Sequence, residues 1–234
     1  MPLSNHITAK NRLLAAMPQE DLQCFFSELY PVCLSLRQVL CEAGAPLEHV
    51  YFIEQGVASI LTSMADGSTI EVGMIGMEGM VGVPALLGGE ISAQRIIVQV
   101  PGTALRMSAA LCKAAFDQSE AVRRVALRFT EAILNLSAQT AACNRLHSIE
   151  QRCARWLLMA IDRTQTDRIP LTHEFLASML GVRRAGVTVT AGELQRAGLI
   201  RYHHGQLTIV DRDGLEANAC ECYQIDHERL NRLL

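Results

Sequence analysis

The sequence predicts an α+β chain in three parts: a β-roll of short strands, one long helix, and a C-terminal winged helix-turn-helix. Three observations predict it. Short apolar alternations fill residues 31–107 and are broken at Gly44, Gly56, Asp66-Gly67, Gly76 and Pro101-Gly102, and many short strands at such spacing close into a sandwich or barrel. A heptad repeat then runs through residues 125–146 with no Gly or Pro, as a helix lying along a seam requires. Finally, Leu171 to Val210 reads as two short helices, a tight turn and a hairpin. The parts divide the chain at 1–107, 108–147 and 148–234.

Composition sets the outer bounds. In 234 residues, apolar side chains make up 50% and charged ones 19%, which describes a folded chain with ample core. No apolar run approaches the ~20 residues that span a bilayer, and no secretory signal opens the chain. The expectation is a cytoplasmic protein with no membrane partner. The net charge of −3 does not advertise a nucleic-acid binder, but residues 183–204 carry Arg183, Arg184, Arg196 and Arg201 against Glu193, four positive charges to one negative. The charge of the docking face decides affinity for DNA. Eight cysteines are scattered, and the close pair Cys220-Glu-Cys222 lacks the two-residue spacing of usual zinc motifs. Free thiols, with no metal and no cofactor, are therefore expected.

In chain order, Asn11 to Met17 and Asp21 to Leu29 read as two helical runs broken at Pro18. Strands are predicted at Val32 to Leu36, Val39 to Glu42, Val50 to Ile53, Val57 to Thr62, Thr69 to Met74 and Arg95 to Val100. Asp66-Gly67 supplies a hairpin turn. Val125, Phe129, Ala132, Leu136, Gln139, Cys143 and Leu146 step by 4, 3, 4, 3, 4 and 3, the spacing of a dimer seam in which Gln139 selects one register. A hinge is placed at Leu146 to Ser148, because Ser148-Ile149-Glu150-Gln151 has the form of a capping box. The helix it starts carries Trp156, read as a core anchor, and ends before Pro170. Residues 211–234 read as a final helix with no motif.

Within Leu171–Val210, Thr172 is placed to cap a helix whose buried face is Phe175, Leu176, Met179 and Leu180. Gly181 makes the turn, and a second helix runs from about Arg184 to Arg196 and stops at Gly198. Ala177, Gly181 and Val187 stand where a helix-turn-helix needs a small contact residue, a turn glycine and an apolar anchor. Arg183, Arg184 and Thr188 would then face outward, and arginine matches a guanine edge or a phosphate. The hairpin turning near His203-His204-Gly205 would be the wing, with Arg201 and His203 against phosphate.

These residues, including the GLI step into the wing, resemble the winged helix-turn-helix of the Crp/Fnr superfamily of bacterial transcription regulators. VYFIEQGVASIL and VGMIGMEGMVG resemble the glycine-punctuated core of its cyclic-nucleotide-binding β-roll, where Gly73, Gly76, Gly79 and Gly82 serve structure. The resemblance implies a homodimer on a palindromic operator, with Thr172, Arg183, Arg184, Thr188, Arg201 and His203 touching double-stranded DNA and RNA polymerase as a further partner. It departs from cyclic-AMP binders at the ligand: Val83 stands at the Glu position, and Ala93-Gln94 at the Arg-Ser position. Losing the Arg leaves the phosphate charge unpaired on burial, so an effector other than cyclic AMP, or none, is expected, with Arg95 the candidate should a shifted loop recruit it. The alternative is a cyclic-nucleotide-binding or redox-responsive (thiol or iron–sulfur) regulator. Against the latter, Cys24, Cys33, Cys41 and Cys112 lack the spacing of the family's cluster ligands, and His49 is read as a packing residue and not a haem ligand. No enzyme is expected, since the chain has no Gly-x-Ser-x-Gly, no P-loop, and Ala177 where a His-Glu-x-x-His motif needs its second histidine.

Overall fold

The computed structural model describes residues 9–20, 27–203 and 205–233; the expected helical run from Asp21 lies largely outside them. A single helical turn, α1 (Arg12–Ala15), is capped by the Asn11 side chain, which accepts from the Leu14 N–H. The roll follows as β1 (Tyr30–Leu34), β2 (Val39–Cys41), β3 (His49–Ser63), β4 (Thr69–Ile75), β5 (Met80–Val81), a short helix α2 (Val83–Leu86) and β6 (Arg95–Ser108). All pairings are antiparallel, in the order β1-β6-β3-β4, with β2 also on β6 and β5 on β3.

Two predicted breaks are not breaks. Gly56 and Pro101-Gly102 lie inside β3 and β6, which pair from His49↔Ser108 to Leu61↔Arg95 through several register shifts. Gly56 takes φ +88°, and a Cβ on Gly102 would overlap the Gln55 carbonyl. These glycines let two long strands bulge and bend past each other instead of ending them. The Asp66-Gly67 turn forms as expected, with Asp66 accepting from the Ser68 N–H at 2.9 Å.

Helices α3 (Ala109–Gln118) and α4 (Glu120–Leu146) lead away from the roll. Ser119 caps α4 by accepting from the Val122 N–H. Phe129 on α4 packs so closely under the roll that a Cβ on Gly79 would overlap its ring. After His147 and Ser148, which leave the helix, α5 (Ile149–Thr164) begins with the expected capping box: Ser148 and Gln151 satisfy each other's backbone N–H groups at 3.2 Å.

The C-terminal unit adds β7 (Arg168–Pro170), α6 (His173–Leu180), α7 (Arg184–Arg196), β8 (Ile200–His203), β9 (Gln206–Ile209), α8 (Arg212–Asn218) and α9 (Cys222–Leu233). Thr172 caps α6, Gly181 turns at φ +63° and Gly198 at φ +77°. The wing hairpin is widened to three strands, β7-β9-β8, by a strand the sequence did not announce. The tail is two helices and not one.

Two apolar cores share the sheet. One lies inside the roll around Phe52, Met80, Val98 and Phe129. The other joins Val57, Leu61, Met74 and Val100 of the sheet to Trp156–Ala160, Leu176, Val187 and Leu194 of the C-terminal unit. Trp156 is accordingly more than a local anchor, because its indole N–H donates to Glu71 on β4 at 3.0 Å. Beside it, Arg163 and Glu78 form a buried ion pair at 2.7 Å, and Ile70 of β4 fills the space a side chain at Gly181 would need. Among the described residues no helix is long and apolar enough to cross a membrane.

The predicted seam needs correction. Phe129, Ala132, Leu136 and Cys143 are buried within the chain, Val125 packs on the roll core, and Gln139 donates to the Cys222 thiol at 3.1 Å. Of the seven, Leu146 is exposed. The row that α4 leaves uncovered is Arg124, Leu127, Glu131, Leu134, Ala138 and Ala141, which also steps by threes and fours. The heptad is real, but its predicted row packs on the chain itself.

Candidate DNA interface and effector cavity

Helix α7 is held by an apolar underside and leaves a polar outer row. Val187 and Leu194 are fully buried, with Ala191 and Thr190 beside them. Arg183, Arg184, Ala185, Thr188 and Val189 are exposed. Arg183 takes the N-cap position without a side-chain cap, so the positive end of the helix points outward with its first N–H groups uncapped. Arg184 makes a long, exposed ion pair with Glu174 at 3.8 Å, a contact of little energy that a phosphate or base edge can replace. Val189 was missed in sequence: at 59% exposure it offers an apolar surface of the kind that meets a thymine methyl.

A polar chain ties the two helices and the wing together. The Thr188 hydroxyl donates to the Arg184 carbonyl and meets His173 Nδ1, both at 3.1 Å. The His173 ring stacks at 4.6 Å on Tyr202 of the wing. Tyr202 donates its hydroxyl to the Leu171 carbonyl at 2.6 Å and its N–H to Gln195 at 2.8 Å. Burial, with the nearby Arg184 charge, lowers the His173 pKa, which favours the neutral ring in this arrangement. Thr172 is exposed and its oxygen is engaged as the α6 cap, accepting from Phe175 N–H at 3.1 Å. Arg201 and His203 are exposed on β8, opposite Thr208 and Gln206. Neither His173 nor Tyr202 announced itself in the sequence; their pairing depends on the wing folding back on α6.

The cavity under the roll measures about 220 Å³ and is lined by Ile60, Val72, Met80 and Val83 among others, with Thr130, Ile133, Leu134 and Ser137 from α4. No lining side chain carries a charge; Ser92, Gln94, Thr130 and Ser137 supply its polar side chains. Val83 and Gln94 thus sit on the cavity, whereas Arg95 does not and, contrary to expectation, faces away from it. Its neighbours Gln94 and Ile96 line the cavity, and alternation along β6 sends Arg95 to the other side, where it pairs with Glu42 at 3.3 Å. His49 lies at the start of β3, 6.5 Å from the Tyr51 ring, and is not among the residues lining the cavity.

Residues 32–119 match the family model for a cyclic nucleotide-binding domain, and residues 151–218 match that for a Crp-like helix-turn-helix domain. The chain belongs to the Crp/Fnr family. It is a DNA-binding transcription regulator of that type, with a β-roll of the cyclic-nucleotide-binding kind. Among solved structures, this Crp/Fnr chain is similar to FixK2 from Bradyrhizobium japonicum, with a TM-score of 0.70, 15% identity and coverage of 82% of this chain and 98% of that one. A CRP-family transcriptional regulator from Thermus thermophilus gives 0.69 at 20% identity, covering 80% and 96%. A CRP/FNR-family regulator from the same organism gives 0.65 at 19% identity, covering 81% and 98%. At such identities the likeness is one of fold. No curated protein sequence matches the chain.

Proposed function

We propose that this regulator reads a palindromic operator as a homodimer, and that its roll answers to an uncharged effector or to none. The observation that carries the DNA reading is the split of α7 into a buried row and an exposed row of Arg183, Arg184, Thr188 and Val189. Arg184 and Thr188 meet base edges, Arg183 and Thr172 meet phosphate at the helix entry, and Arg201 and His203 meet the backbone beside the wing. Two such helices about a two-fold axis read half-sites roughly one helical turn, or about 34 Å, apart. Leu127 and Leu134, 45% and 66% exposed on the uncovered row of α4, support a dimer along that helix in place of the row first predicted. RNA polymerase is the further partner in this reading.

The effector reading is supported by the cavity lining. A cyclic phosphate buried there would meet no cation, at a cost of several kcal/mol, while apolar walls with a few hydroxyl and amide groups suit a small neutral molecule. The test is selection of random duplex DNA by the full-length protein, with and without cyclic AMP, at two salt concentrations. A palindrome enriched without nucleotide is expected. Enrichment only with cyclic AMP would overturn the effector reading, and a non-palindromic motif would overturn the dimer.

A further inference from the structure

Three cysteines and a histidine converge where the long helix ends. Cys143 lies in the last turn of α4, and His147 follows it at the C-cap, its N–H donating to the Cys143 carbonyl at 3.1 Å. That bond holds His147 one turn beyond Cys143 as the chain leaves the helix. Cys222 opens α9 and Cys220 lies in the link just before it, more than seventy residues later. Cys143 Sγ lies 3.5 Å from Cys220 Sγ, and Cys222 Sγ lies 3.6 Å from His147 Nδ1. All four candidate ligand atoms fall within 4.8 Å of one another. The three thiols are buried and the His147 side chain is 15% exposed.

We propose that Cys143, His147, Cys220 and Cys222 form a closed tetrahedral site for one zinc-class divalent ion. Bonds of about 2.3 Å to sulfur and about 2.0 Å to nitrogen place ligand atoms roughly 3.5–3.8 Å apart around a tetrahedron, so the two contacts above match its edges and the remaining pairs need contraction on the order of 1 Å at most. The surroundings are those of a metal site. His147 turns Nδ1 to the thiols while Nε2 faces the Glu221 carboxylate at 3.2 Å, which fixes the tautomer that leaves Nδ1 as the donor. Gln139 donates to Cys222 Sγ at 3.1 Å, a bond that orients the sulfur. Four protein ligands and burial leave no open coordination position, as in structural and not catalytic zinc sites. Binding releases thiol protons to solvent and breaks no covalent bond between heavy atoms.

The site staples α9 to α4 at His147, which closes α4 and is followed by Ser148, the cap of α5. It therefore fixes how the C-terminal unit leaves the long helix, and it stands independently of which effector or operator the protein uses. The experiment is elemental analysis of the full-length protein, purified under mild reductant without chelator, followed by exchange with Co²⁺. One zinc per chain and the visible absorption of tetrahedral thiolate-bound cobalt are expected, with both lost in the Cys220→Ser/Cys222→Ser variant and both kept in Cys33→Ser. Should the double variant fold poorly, a chelator must still lower the Tm of the wild-type protein. The proposal is overturned by protein that holds no metal and takes up no cobalt, by full metal content in the double variant, or by two missing thiols that reveal a Cys143–Cys220 disulfide in place of the ion.

Discussion

Raising the pH through neutrality should loosen the contact between the C-terminal unit and the roll, and Glu71 is the reason. Its carboxyl is fully buried on β4, where burial pushes its pKa from 4.5 to about 7; the nearby Ser59 hydroxyl, the Trp156 indole and the charges of Arg155 and Arg163 pull the other way. One oxygen accepts from the Trp156 indole at 3.0 Å, and the other has no hydrogen-bond partner. Between pH 4.5 and about 7 the folded chain keeps a proton that the unfolded chain gives up, so stability falls as pH rises through that window. The contribution is complete below 4.5 and gone above about 7. At about 1.4 kcal/mol per tenfold change in proton affinity, the difference comes to about 3 kcal/mol. Urea unfolding at intervals from pH 5 to pH 8 measures it, in the wild type against Glu71→Gln, which keeps an acceptor for the indole and cannot ionise. Asp226, whose pKa burial also raises, contributes in the same direction to both proteins, so the difference isolates Glu71. Because Trp156 is the chain's one tryptophan, its emission should also titrate near neutrality in the wild type alone. Parallel stability curves for the two proteins, with no inflexion in the emission, would refute the reasoning.

Three other outcomes follow from geometry. Gly192→Ala should stabilise the protein by about 1 kcal/mol in urea denaturation, since helical glycine is costly and the added methyl meets nothing within 4 Å. Arg184→Ala should weaken operator binding by about 1–3 kcal/mol and relax preference at one base position; an equal loss on every sequence would instead make it a phosphate contact. Leu134→Glu places a charge on the uncovered row of α4 and should give monomers in sedimentation, with unchanged mass identifying another dimer surface.

The helix-turn-helix was legible because its signals are local. A threonine cap, a turn glycine and a stop glycine each act within one turn of chain, and all fell within a residue of the observed boundaries. The roll was legible only as pieces. Whether Gly56 ends a strand or bulges it depends on a partner some forty residues away, which no local pattern encodes. The seam failed for a related reason: α4 carries two rows at heptad spacing, and only the packed roll decides which is already covered. Arg95 was misplaced because the strand's phase, which sets the face of every side chain, was unknown. The thiol cluster was invisible because its halves lie at the ends of separate helices, with neither half carrying a familiar zinc spacing.

Leu134 belongs to two surfaces at once, since it lines the cavity and stands on the uncovered row of α4. If a second chain covers that row, the cavity gains its last wall only on association. Occupancy and self-association then become reciprocal, each strengthening the other by the same factor. The cell's copy number of the regulator would set its sensitivity to the effector, so expression level becomes a second input alongside the chemical one.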